Sequence, residues 1–398
     1  MSSDSPVRLS RDGVTLTGYL VLALWGWFLY GFGSLLAQLG RDQGISATVT
    51  SLHSVLLAAG ALIAGFGFVP LVRRVRRRGV LRLAATMVLT GSVMFVAGGA
   101  WTAVTLPAIL FIGTGGSLLV NAVNPLLNEH HAPRGEGHSA AALAEGNAVA
   151  AACGLVAPLA VGAGVALGLS WRPAILVTVP LALATLWMVA RQPAGVLALD
   201  DDSTGAPGAR RPMPVGFWPV LGMMMGLIGV EFCMTAWSAE LLRTRTDLSS
   251  GAAAAGVSAV IGGMMLGRVL LGRMALRRPA KPLLVVAILV CLAGWAVTWT
   301  TTVATVALLG LLITGLGMAA HYPLGASLGM AAAGDQRDRA SGLLSLGIGV
   351  AAGGGPFAIG ALSDATSTHA AFLVVPVLLV LGLGLLLLTG PVTSRRPR

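Results

Sequence analysis

The chain has 398 residues, 56% of them hydrophobic and only 10% charged, and its mean hydropathy is +0.84. A soluble chain carries roughly 25% charged residues, so this composition excludes a soluble globular protein. The net charge of +11 would suit nucleic acid, but its distribution, described below, points to a membrane instead.

Apolar runs of about 20 residues recur, each long enough to cross ~30 Å of hydrocarbon as a helix. In chain order they predict an all-α membrane protein with twelve spans, at 17–39, 49–71, 80–101, 104–127, 140–168, 171–190, 216–240, 251–275, 282–301, 303–331, 339–362 and 369–390. The first run is a full span rather than a cleavable leader. A tail (1–16) precedes a six-helix bundle (17–190), and a polar link (191–215) leads to a second bundle (216–390) and a short tail (391–398). Asp200, Asp201, Asp202, Arg210 and Arg211 make the link polar, and its glycines and prolines make it mobile.

With the N-terminus inside, the outer loops hold four of the 26 Lys and Arg residues: Arg41, Arg172, Arg243 and Arg245. One more, Arg268, lies deep within a span, and the rest fall in inner loops and tails or at the inner ends of spans. That asymmetry places both termini in the cytoplasm of a cell-membrane protein. The cluster Arg73, Arg74, Arg76, Arg77, Arg78 and Arg82 reads as an anchor beside anionic lipid, not a nucleic-acid site. Cys153, Cys233 and Cys291 all lie in apolar segments, as small buried hydrophobes without metal or disulfide spacing.

The chain repeats itself. Trp101-Thr102 recurs as Trp299-Thr300, Pro125 as Pro323, Pro158 as Pro356 and Gly162 as Gly360, all at one offset, about half the chain. Ile45-Ser46 pairs with Leu248-Ser249 at a slightly larger one. Two parallel six-span repeats are one way in which secondary transporters are built.

The loop after the second span reads GFVPLVRRVRRRG (67–79), and its second-half counterpart reads GRMALRRPAK (272–281). With the repeat, these stretches resemble the major facilitator superfamily along nearly the whole chain. The family pattern there is Gly-x-Leu-Ala-Asp-Arg-x-Gly. The glycine and basic residues match, but Leu71 and Leu276 stand where the family has an aspartate that helps latch the cytoplasmic side. GLVAPLAVGAG (154–164) is an imperfect match to a Gly-Pro motif of proton-driven exporters. The resemblance implies two rocking bundles around a midplane site.

Polar residues in lipid normally face the bundle interior. Helical spacing gives one polar stripe on each of four spans. Span one carries Trp27, Tyr30, Ser34 and Gln38, and span four carries Thr114, Ser117, Asn121 and Asn124. Span seven carries Glu231, Thr235 and Ser238, and span ten carries Thr314, Met318 and His321 with Tyr322 beside it. Such hydroxyls and amides also bond helices together, but four symmetric stripes favour a shared cavity. Glu231, near the middle of an apolar span, is the expected proton-coupling site or the counter-charge for a cationic substrate. His321 extends that path or meets an anionic solute.

Glu145 and Arg268, at matching depth, are expected to form a gate pair, whereas depth separates Arg268 from Glu231 by ~12 Å. The methionines 223–225 and Met234 give an adaptable wall or simply fill gaps. Trp101, Trp171, Trp187, Trp218 and Trp299 read as interfacial anchors. His130, His131 and His138 with Glu129 and Glu136 fit no standard metal spacing and read as a flexible loop. No nucleotide motif, nucleophile–base pair or cofactor site is apparent, so the chain is read as a non-enzyme without cofactor.

The expected function is proton-coupled export of a drug-like or secondary metabolite by a monomer whose other partners are protons and lipid. Uptake of a small, anionic organic solute is the second reading, and a non-transporting sensor or scaffold the third.

Overall fold

The computed structural model describes residues 11–134, 136–193, 212–275 and 278–389. All described regular structure is helical. The first half holds α1 (Gly13–Gln43), α2 (Ala47–Ala97), α3 (Thr102–His131), α4 (Glu136–Ala166), α5 (Arg172–Leu176) and α6 (Thr178–Arg191). The second holds α7 (Phe217–Arg245), α8 (Ser250–Ala275), α9 (Ala280–Thr300), α10 (Ala304–Met318), α11 (His321–Ala332), α12 (Arg337–Ala365), α13 (Thr368–Ala371) and α14 (Val374–Leu388). Among the described residues, eleven helical stretches are long and apolar enough to cross a membrane. The link residues 194–211, both chain ends and Leu276 lie outside the described residues.

One stretch is not a single crossing. Ala47–Ala97 is 51 residues long, which as one rod would reach ~76 Å. It is two helices joined at Arg76, whose φ of 59° and ψ of 166° are non-helical. The expected loop at 67–79 is therefore almost all helix, with a one-residue turn. This backbone region suits glycine far better than arginine.

Three expected spans are broken. α5 gives way to α6 at Val177, α10 to α11 at Ala319–Ala320, and α13 to α14 at Phe372–Leu373. The first and third breaks fall at matching places in the repeat, which the apolar pattern alone does not reveal.

The structure divides into two compact units. The described part of the first comprises 11–31, 59–157 and 172–193; that of the second comprises 32–58, 158–171 and 212–389. The boundary does not follow the sequence repeat. The second unit takes the second half of the chain together with the far ends of α1 and α4 and the start of α2. The end of the protein at which α1 passes to α2 is called distal below.

In the first unit, α1, both parts of α2, α3 and α6 share an apolar core that includes Leu24, Leu81, Ala84, Val88, Leu119 and Val123. At its other, proximal end the first residues of α1 are tied down. Asp12 accepts from the Thr15 amide at 3.1 Å and hydroxyl at 2.9 Å, and from His130 at 2.6 Å, while the Thr15 hydroxyl meets the His131 ring at 2.9 Å. Arg77, fully buried, donates to both oxygens of Glu129 at 2.7 and 2.8 Å. So of the residues read as a flexible histidine loop, Glu129, His130 and His131 lie at the end of α3, and Glu136 and His138 lie in the first turn of α4. Arg77 leaves the expected lipid-facing cluster, and Arg78 donates to the Ala190 carbonyl. Arg73, Arg74, Arg76 and Arg82 remain exposed.

In the second unit α8, α9 and α10 approach backbone to backbone. A Cβ on Gly263 would come within 2.0 Å of the Leu312 carbonyl, and one on Gly315 within 2.0 Å of that of Val260. Small residues let membrane helices approach closely enough for dispersion to hold them. Gly263→Ala should therefore lower thermal stability by about 1–3 kcal/mol, as overpacking does. Gly65→Ala, where a Cβ meets nothing within 4 Å, should not. Fluorescence-monitored unfolding in detergent separates the two.

Partial burial alone would raise the Asp12 pKa, but the bonds from His130 and Thr15 outweigh it and hold the carboxyl at about 2. Its contribution is thus present above the ordinary aspartate value near 4 and is lost as pH falls toward 2. Asp12→Asn should melt earlier than the wild type at pH 7. The gap should close between about pH 4 and pH 2 in the same assay.

Candidate functional site

The stripe residues of the first unit sit on α1 and α3. The Trp27 indole donates to the Ala174 carbonyl at 2.8 Å and so fixes α1 to the start of α5. The Tyr30 ring lies over Gly154 of α4, where a Cβ would come within 2.4 Å of it. On α3 the Thr114 hydroxyl returns to the Leu110 carbonyl one turn back, at 2.8 Å. Ser117 and Asn121 are half-buried. Asn124 differs, because its Oδ1 is sealed from solvent and has no hydrogen-bond partner among the described residues.

The second unit holds the rest. Ser34 is buried, and Gln38 accepts from Arg41 at 3.3 Å. On α7 the Thr235 hydroxyl bonds back to the Glu231 carbonyl at 2.9 Å, and the Thr235 carbonyl lies against Gly33 of α1. Ser238 is fully buried, and its hydroxyl has no hydrogen-bond partner among the described residues. Glu231 is half-buried in the apolar middle of the helix, and its carboxylate has no hydrogen bond or ion pair among the described residues. Arg268, exposed on α8, is the charged side chain whose field reaches it.

His321 owes its position to the break after Met318. It is the first residue of α11 and is fully buried. Its Nδ1 lies 3.3 Å from the carbonyl of Leu227, one turn before Glu231 on α7, and its Nε2 has no hydrogen-bond partner among the described residues. The structure thus brings His321 onto the helix that carries Glu231. Met318 is buried beside the break, whereas Tyr322 is 55% exposed.

The expected gate looks different. Both oxygens of Glu145 accept from Arg11 at 3.0 Å, and the Tyr19 hydroxyl also donates to it at 3.0 Å. Glu145 is therefore held by α1 and its leading residue in this structure, in place of the expected Arg268. Arg11 was invisible to a depth argument because it precedes the apolar run.

Distal contacts were missed as well. Arg41 pairs with Glu240, which also binds Arg243 bidentately at 3.0 and 2.6 Å. Asp364 accepts from the start of α2. The only sequence signal for these was the position of charges just beyond the span ends.

Several aromatic and sulfur readings also change. Trp171 is fully buried and donates to Asp42 at 2.9 Å, so it is no interfacial anchor. Trp299 stacks on His369 at 4.3 Å and donates to its carbonyl. Trp101, Trp187 and Trp218 are exposed. Trp237 is buried and donates to the Pro356 carbonyl at 3.0 Å, a packing role. Met223, Met224 and Met234 are fully buried, and the Met224 thioether fills the space over Gly325, so these methionines fill gaps. No cluster of three or more metal-ligating side chains occurs among the described residues.

A double-mutant cycle on Arg11→Gln and Glu145→Gln should give a coupling of about 0.2–1 kcal/mol in thermal unfolding, as exposed pairs do.

The fold has close company. The xylose transporter XylE from E. coli, in a partially occluded inward-open conformation, superposes with a TM-score of 0.76 at 14% identity, over 97% of this chain and 99% of that one. The nucleoside transporter NupG gives 0.73 at 12% identity, over 94% and 98%. A bacterial homologue of the human lysosomal transporter Spinster, inward-facing and occupied, gives 0.71 at 16% identity, over 96% and 97%. No curated relative matches the sequence. The sequence model of the Major Facilitator Superfamily matches residues 16–336 and again 221–398, so the chain belongs to that superfamily of membrane transporters.

Proposed function

We propose that the protein is a proton-coupled secondary transporter with twelve spans and cytoplasmic termini, and that it exports a drug-like or secondary metabolite by alternating access. The observation that carries this reading is Glu231: a carboxylate in the apolar middle of α7, half-buried and without a partner among the described residues. An acid in such a place binds a proton when it faces one side and gives it up when it faces the other. In its charged form it attracts a cationic solute, and in its neutral form it lets that solute go. His321, docked one turn away, stands ready to pass the proton on or to orient the solute.

Export is favoured by how few amides the stripes offer. Gln38 is engaged by Arg41, which leaves Asn121 and Asn124 as the remaining stripe amides. That is a poor set for a polyol and a better one for an apolar or cationic molecule held by Trp27, Tyr30 and Glu231.

The test is untargeted mass spectrometry of medium and cytosol from cells that express the wild type or Glu231→Gln at matched levels. Solutes enriched in the medium only with the wild type are the expected result. Enrichment in the cytosol would replace export by uptake. Equal profiles would remove Glu231 from the coupling path.

A further inference from the structure

The first amides of α2 have no partner within their own helix. Ser46 supplies the usual cap, its hydroxyl accepting from the Val49 amide at 3.2 Å. A second acceptor arrives from the other half of the chain. Asp364, near the end of α12, takes the amides of Ala47 and Thr48 at 2.8 Å each and the Thr48 hydroxyl at 2.6 Å. A carboxylate there is stabilised by the positive end of the helix dipole and by charge-assisted bonds. One turn deeper Gly360 lies over Ser51, where a Cβ would come within 2.0 Å of the hydroxyl. That hydroxyl reaches the Pro356 carbonyl at 3.1 Å. So α2 and α12 are joined over two turns, with the charge at the distal tip.

The repeat supplies a control within the same molecule. The offset that matches Gly162 to Gly360 matches Ala166 to Asp364. Ala166 lies against Gly251 at the start of α8, and Gly162 approaches the Gly251 carbonyl just as closely as Gly360 approaches α2. The start of α8 is capped by its own Ser249, which accepts from the Ala252 amide at 3.3 Å. The same crossing is therefore built without any carboxylate. What Asp364 adds is a charged hold between the two halves.

We propose that Asp364 is a distal latch. Seated on the start of α2, it holds the distal end of the transporter shut, with Arg41–Glu240 as a second fastening between α1 and α7. Glu240 stays on Arg243 when Arg41 leaves, ready to close again. The proposal rests on the alternating-access reading above.

The test uses the full chain in lipid nanodiscs, with Cys153, Cys233 and Cys291 replaced by serine. Spin labels go on Leu167→Cys and Val303→Cys, both exposed in distal turns, one in each half. Pulsed electron resonance should show a longer distance that gains population roughly two- to fivefold in Asp364→Asn, the range for releasing an exposed ionic contact. Asp364→Ala and Thr48→Val should move it the same way, and Asp364→Glu should restore it in part. Asp364→Ala guards against a merely misfolded Asn variant, as does an unchanged melting temperature.

Distances unchanged in Asp364→Asn and Asp364→Ala, in protein that melts like the wild type, would overturn the latch. If such protein still moves solute, the transport reading survives that failure. Variants that open while no form of the protein moves any solute would keep the latch and sink the transport reading.

Discussion

A polar group inside hydrocarbon has no water to turn to, and the rest of this structure follows from that. Beyond the first turn of each helix the backbone amides are satisfied within that helix, and the described regular structure is helical. Hydroxyls obey the same constraint: Thr114, Thr235 and Thr314 all return to a carbonyl one turn back. With no hydrophobic drive between helices in lipid, contact has to come from close approach, and glycine permits it where α8 meets α10. Against these, Nε2 of His321, Oδ1 of Asn124 and the hydroxyls of Ser92 and Ser238 are among the buried groups with no hydrogen-bond partner among the described residues.

The two ends of the protein use charge differently. At the proximal end of the first unit, Arg11–Glu145, His130–Asp12 and Arg77–Glu129 all tie helices of the first half to one another. They stiffen a bundle. At the distal end, Arg41–Glu240 and Asp364 on α2 tie one half to the other. On the proposed alternating-access reading, a contact within a bundle survives the motion and a contact between bundles breaks. Trp237 and Ser51 share the Pro356 carbonyl and add neutral bonds to the same distal joint.

The all-helical, membrane-spanning character was legible because length and hydropathy are properties of whole segments. Even the matched residues proved meaningful, since Gly162 and Gly360 both mark closest approaches. Of the stripe residues, Ser34, Ser238 and His321 are buried. Partners were not legible. Arg11 precedes the first apolar run, and Asp364 lies just past the predicted end of the eleventh span, so neither entered an argument about depth. Breaks escaped notice too. Nothing in the apolar pattern of span ten marks Ala319–Ala320 as the place where α11 begins and His321 turns onto α7. The one-residue turn at Arg76 was hidden because a run of arginines reads as a loop, although arginine is a good helix former.

That turn has a consequence for how the chain tolerates insertion and deletion. A long polar link can absorb a residue by bulging, but a joint of a single residue has no slack. An extra residue beside Arg76 passes into the helix that follows as a rotation of about 100°. It would swing Leu81, Ala84, Ala85 and Val88, all now buried, off their shared face and bring exposed Arg82 and Leu83 round toward it. The screw register of a whole span is thus held by one peptide unit in a conformation made for glycine.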